Sequence, residues 1–180
     1  LLMVGPFSAM HNRPLPYHLF LARRYEESIS ASVAMQARVP GFSTHGLQAL
    51  GYWAQGSFDK ALEEERLELE WRRDSVLLAA LEEGLAAAGP AGAMRAMAEA
   101  RAARLNESYV DPFRIGETFA RAGMVDQALY WLDRAADHGS YELTYIALRP
   151  DFDVLRDDPR YPILVKRVYG QRMMDAWLPD

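Results

Sequence analysis

The 180-residue chain contains no cysteine, which removes disulfides and thiolate metal ligands from consideration. No apolar run approaches the roughly 20 residues that cross a bilayer, so no membrane partner is expected. Twenty Lys and Arg face 25 Asp and Glu, a net charge of −5. Phosphate backbones need concentrated basic charge, so no nucleic-acid partner is expected either. The four histidines (His11, His18, His45, His138) share no metal-ligand spacing, and no HExxH motif occurs, so no metal is expected. Glycine-rich phosphate loops and a Gly-x-Ser-x-Gly elbow are missing as well. These absences point away from an enzyme and from a bound cofactor. "DFDVLRDD" (151–158) gathers four aspartates, but it puts Leu155 where a calcium loop needs oxygen and has no glycine at the turn. Helix caps and solvated surface explain those aspartates better.

What is present is ordinary globular material, half hydrophobic and one quarter charged. A chain of this length can bury roughly 70% of its unfolded surface. The opening "LLMVGPF" lacks a basic leader and is broken by Gly5-Pro6, so it does not read as a signal peptide. Without an initiator methionine, the chain is expected to be a piece of a longer protein. A cytoplasmic location is the matching expectation.

The informative feature is a recurrence. "RAGMVDQAL" (121–129) echoes "AQGSFDKAL" (54–62), setting Gly123 opposite Gly56. Gly89 in "AAAGPAGAM" (86–94) lies halfway, and Arg23 in "LARRYEESI" (21–29) one step earlier. The anchors are 33, 33 and 34 residues apart, a period of helix–turn–helix arrays rather than heptads or propeller blades. In the last copy Gly116 lets two helices approach, and Phe119 fills the space beside it. Gly123 supplies the positive φ that closes the first helix. Val125, Ala128, Leu132 and Ala135 form the inner stripe of the second helix. Asp111-Pro112 predicts a helix start, and His138-Gly139 a helix end. Pro14 and Pro16 are expected to delay or kink the first helix. The expected organisation is a single domain over 1–180: hairpins over 8–40, 41–74, 75–108 and 109–140, a C-terminal cap over 141–170, and a tail over 171–180. The last cap helix is predicted over 159–169, with Ile163, Leu164 and Val168 inward. Two features fit poorly. Glu65 and Glu68 stand where the period wants apolar residues, so either that helix is rotated or they meet arginines such as Arg95 or Arg101. In the third copy Glu82 and Met94 occupy the small-residue places.

The offsets resemble the tetratricopeptide repeat over roughly residues 8–140. The resemblance implies an all-α fold, a right-handed superhelix of about four hairpins. "RPDFDVLRDDPRYPILVKRV" after the last copy is similar to the ends of bacterial multidomain regulators, in which such arrays follow winged-helix, Ser/Thr kinase or adenylate cyclase domains. In this family the first helix of each copy lines a concave face that holds a peptide or partner domain. Carried onto this chain, that face implies Arg13, Tyr17, Phe20, Leu50, Trp53, Glu83, Phe113, Glu117 and Arg121 as partner-binding residues. The Lys and Asn of the family's carboxylate-clamp variety are missing, so chaperone-tail binding is not implied. The structural alternative is that the aromatics at helical spacing are core; exposure of Trp53 with burial of Tyr52 would favour the groove. The rival functions are homo-oligomerisation through Leu1, Leu2, Met3, Val4 and Phe7, giving a homodimer, and small-molecule sensing in the same groove.

Overall fold

Arg23, Gly56 and Gly123 hold φ of 61°, 73° and 74°, and the same pair of hydrogen bonds closes the helix before each. The amide of each anchor donates to the carbonyl three residues back: Arg23 to Phe20, Gly56 to Trp53, Gly123 to Ala120. The next amide donates five back: Arg24 to Leu19, Ser57 to Tyr52, Met124 to Phe119. All six bonds measure 2.9–3.0 Å. This is the left-handed helix stop that satisfies the last carbonyls. The fourth anchor, Gly89, departs: its φ of 66° is paired with a ψ of −159°, and Ala88 before it is also non-helical.

Arginine adopts the left-handed region at a cost of about 1–2 kcal/mol, and glycine loses about 0.5–1 kcal/mol more backbone entropy on folding. Arg23→Gly is therefore expected to stabilise the chain by up to about 1 kcal/mol, read as a higher melting midpoint. An unchanged or lower midpoint would mean that side-chain contacts of Arg23 outweigh the strain.

The computed structural model describes residues 14–39, 41–106 and 110–170. Among them every regular element is helical and no strand occurs. The chain divides into two compact units, Leu1–Ser75 and Val76–Asp180.

In the first unit, α1 (Pro14–Leu21), α2 (Tyr25–Arg38), α3 (His45–Ala54) and α4 (Phe58–Arg72) follow one another. Each packs on the next, and α1 also packs on α3. Pro14 and Pro16 fall in the first turn of α1, where a missing N–H is tolerated. The Pro16 carbonyl accepts a 2.7 Å bond from the Ser28 hydroxyl, which ties α2 to α1. Ala49 of α3 and Ala61 of α4 are buried. Gly51 lets α2 approach α3, since a Cβ there would stand 2.8 Å from Ile29 Cγ1.

In the second unit, α5 (Ser75–Ala103) bends at Ala88 and Gly89, with Pro90 just beyond. By length and mean hydropathy it could cross a membrane, but the bend leaves two stretches, each short of a span. These stretches meet at backbone contact: a Cβ on Gly84 would lie 2.4 Å from the Gly92 carbonyl oxygen, and one on Gly92 2.4 Å from the Gly84 oxygen. The crossing was expected at Glu82 and Met94. The tighter bend moves it two residues toward the turn on each side, leaving Glu82 exposed and Met94 in the core.

After the 3₁₀ turn Arg104–Asn106 come α6 (Pro112–Arg121) and α7 (Val125–Asp137), joined by the Gly123 turn. Asp111 Oδ1 caps α6 through the Phe113 amide at 3.0 Å, and Gly139 at φ 66° follows the end of α7. A Cβ on Gly116 would stand 2.9 Å from Leu132 Cγ, which is the close approach its position predicts. Ala128, Leu132 and Ala135 are fully buried.

Two 3₁₀ segments, Tyr141–Tyr145 and Pro150–Leu155, lead to α8 (Arg160–Tyr169). Pro150–Leu155 packs on α6, and α8 packs on α7. Tyr161, Leu164 and Val165 face inward, with the Tyr161 hydroxyl donating to the Ile146 carbonyl at 2.6 Å. Ile163 points to solvent, against expectation: Tyr161 anchors the helix, and residues three, four and seven beyond it share its face. Outside this seam Arg160 reaches Asp126 at 2.6 Å, and Arg167 bonds both Asp133 and Asp137.

Candidate partner-binding surface

Of the nine residues proposed to line a concave face, Arg13 lies outside the described residues. Tyr17 and Trp53 are half-buried, and Glu83 is exposed. Tyr17 stacks near Phe20 (6.2 Å between ring centroids), and Trp53 meets Phe58 edge-on at 4.8 Å. Tyr52 is half-buried like Trp53, so their exposures do not separate groove from core. The other five are interior. Phe20 is buried because α1 packs on both α2 and α3, and Leu50 because α3 is flanked by α1, α2 and α4. Phe113 and Glu117 are covered by the segment that follows α7: Phe113 meets Phe152 at 5.8 Å between ring centroids, and Glu117 meets Arg149; Arg121 is buried as well.

That cover is organised around Arg149, which is 1% exposed. Its guanidinium grips Asp151 as a two-bond fork (2.9 and 2.6 Å) and also bonds Glu117. Its Cζ lies 5.0 Å from the Phe113 ring centroid and 5.3 Å from that of Phe152, a cation held over two aromatic rings. Glu117 takes a second arginine, Arg114, at 3.1 Å, and Arg114 continues to Glu142 at 3.2 Å. Burial opposes the Glu117 carboxylate, but Arg149, Arg114 and Arg121 outweigh it and hold its carboxyl far below the ordinary range. Arg149 carried no signal in the sequence, where it is one arginine in a polar loop.

Glu65 and Glu68 do face inward, at 6% and 8% exposure. Helix α4 is not rotated, because Ala61, Leu62 and Leu69 are buried with them. Glu68 accepts from the Ser43 hydroxyl (2.5 Å), the Gly46 amide (3.2 Å) and Arg72 Nε (2.6 Å). Burial raises its carboxyl pKa, and these donors together bring it below the ordinary value. A polar network continues from there: Thr44 Oγ1 lies 3.0 Å from the Ser32 carbonyl, and Gln48 Nε2 donates to Thr44 Oγ1 at 3.1 Å.

The tail aspartates serve arginines. Asp151 holds Arg149, Asp153 holds Arg156, and Asp158 holds Arg160. Hydrogen bonds from the Arg160 side chain and backbone bring the Asp158 carboxyl down to about 2. Among the described residues no group of three His, Asp or Glu could hold a metal ion.

The first-helix surface left accessible is therefore Tyr17 and Trp53 in one unit and, in the other, the exposed row Val76, Ala79, Glu83, Ala86 and Ala87 on α5. Paired helices and inward-facing small residues make the described part of this chain all-helical. Comparisons with protein-family models, with curated proteins and with solved structures found no match.

Proposed function

We propose that the chain is a tetratricopeptide-like right-handed superhelix, a non-catalytic scaffold that binds a peptide or a partner domain on its first helices. The reading rests on one observation: three anchors of a period near 33 residues close their helices with the same two-bond left-handed turn. Contact between α1 and α3 supports it, since alternate helices meet along one side of such a stack. Tyr17 and Trp53 supply stiff aromatic area for an apolar anchor, and Glu83 supplies negative charge. The fourth hairpin takes no part, because Arg149 and Phe152 fill its inner face. The similarity of the tail to the ends of bacterial regulators supports a docking or sensing role within a longer parent chain. The residues behind the homodimer reading, Leu1 to Val4 and Phe7, lie outside the described residues.

Hydrogen–deuterium exchange with a peptide selected on the full chain tests this. Protection is expected over residues 14–21, 45–54 and 75–87. Protection confined to other segments, or no selectable peptide, sinks the reading.

A further inference from the structure

Helix α4 uses only part of its circumference for the core. Ala61, Leu62, Glu65, Glu68 and Leu69 are buried. Lys60, Glu63, Glu64, Leu67 and Trp71 share the other side, at spacings of three, four, seven and eleven residues from Lys60. Leu67 is 36% and Trp71 51% exposed. At the N-terminal end of this stripe, Tyr52 of α3 joins Asp59, Lys60, Glu63 and Glu64 around an open depression. Lys60 Nζ sits 5.5 Å from the Tyr52 ring centroid, a cation of the chain itself over one face of the ring.

Glu64 of the depression is held by His45, whose Nδ1 lies 2.6 Å from Glu64 Oε2. The other ring nitrogen, Nε2, lies 2.9 Å from Gln36 Nε2. The Gln36 amide is oriented by its oxygen, which accepts from the Thr44 backbone N–H at 3.1 Å. Its NH₂ is thereby turned toward His45 Nε2, and His45 Nδ1–H donates to Glu64, which fixes that carboxylate at the edge of the depression. Three carboxylates, Asp59, Glu63 and Glu64, then face one ammonium, Lys60, beside an aromatic ring.

We propose that this stripe docks a helical segment of another protein, seating an arginine or lysine of that segment in the Tyr52 depression and an apolar residue against Leu67 and Trp71. Charge complementarity selects the basic residue, and the ring gives it a face to stack on. Trp71 offers the large apolar contact typical of binding hot spots. Glu63 and Trp71 are eight residues apart, about 12 Å along the helix axis, so the partner's basic and apolar residues stand about two turns apart. Apart from Tyr52, the stripe lies outside the first-helix surface discussed above, and the two can succeed or fail separately.

The test is a selection from a displayed library of random helical peptides against the immobilised full chain, followed by titration of the enriched peptides. Enriched sequences are expected to pair a basic residue with a Leu, Phe or Trp seven or eight positions away. Glu63→Gln and Trp71→Ala should each weaken binding at least tenfold with unchanged circular dichroism and melting, and added salt should weaken it further. Acidic or uncharged consensus sequences, self-association of the chain through this stripe, no enrichment, or affinities indifferent to both variants would overturn the proposal. Peptides lost to Glu83→Lys or Tyr17→Ala but not to the α4 variants would support the first-helix reading and overturn this one. The opposite pattern would support this stripe and leave the first-helix reading to its own exchange test.

Discussion

Arg149→Met should cost about 3–5 kcal/mol of unfolding free energy, the range for breaking one partner of a buried ion pair. Methionine keeps most of the packing between Phe113 and Phe152 but leaves Glu117 and Asp151 without the cation they share. Urea unfolding of both proteins measures the difference. A loss below about 1 kcal/mol would mean that Arg114 and rearranged neighbours replace Arg149. Adding Glu117→Leu to Arg149→Met should recover part of the loss, because it removes a stranded charge rather than a favourable contact. The pH dependence has a definite sign. The folded Glu117 carboxyl lies far below its unfolded value, so its contribution is fully present above the ordinary glutamate range. It is lost progressively as pH falls through that range toward the depressed folded value. Stability should therefore drop between about pH 5 and pH 3, with a shallower slope in Glu117→Gln.

Gly84→Ala is expected to cost about 3 kcal/mol, the upper end of typical overpacking costs. The added Cβ would stand 2.4 Å from a backbone oxygen of Gly92 and 2.8 Å from Ala96 Cβ. Neither atom can turn aside as the end of a flexible side chain could, so the two stretches of α5 must separate. The gain in helix propensity, about 1 kcal/mol, runs the other way and is too small to compensate. Gly116→Ala is the control. Its nearest obstacle is the Leu132 side chain at 2.9 Å, which can shift, so a cost of about 1–2 kcal/mol is expected. Thermal or urea unfolding ranks the two, and equal costs would show that the α5 crossing relaxes as easily as the α6–α7 one.

These predictions concern residues that periodicity treated unequally. Gly116, Gly123, Ala128 and Leu132 were legible in advance, because a positive φ and a close helix contact each admit few residue types, and those types recur at fixed offsets. Gly84 and Gly92 carry a comparable signal, each with an alanine four residues on, at Ala88 and Ala96. A template tied to the spacing of the other copies looked two residues away on each side. The Gly89 bend, with its extended ψ, is shorter than the other turns, and the helices cross nearer to it.

The candidate surface was less legible than the fold. Burial along a helix depends on what lies across from it, and local pattern registers only that one side is apolar. Phe113, Glu117 and Arg121 are buried on α6, the first two against Phe152 and Arg149 from the segment after α7. Nothing in residues 112–121 encodes an interaction with Arg149, some thirty positions later in the chain. Glu68 looked misplaced for the same reason, since two of its three donors, Ser43 and Gly46, come from more than twenty residues earlier.

Helix content, the hairpin turns and their small-residue contacts were thus written into local order, because backbone dihedrals and neighbouring side chains act within a few residues. Which surfaces stay open, how buried Glu117 is joined to Arg149, and where α5 folds back on itself arise from packing between distant segments, where the identity of the opposing surface sets the energy.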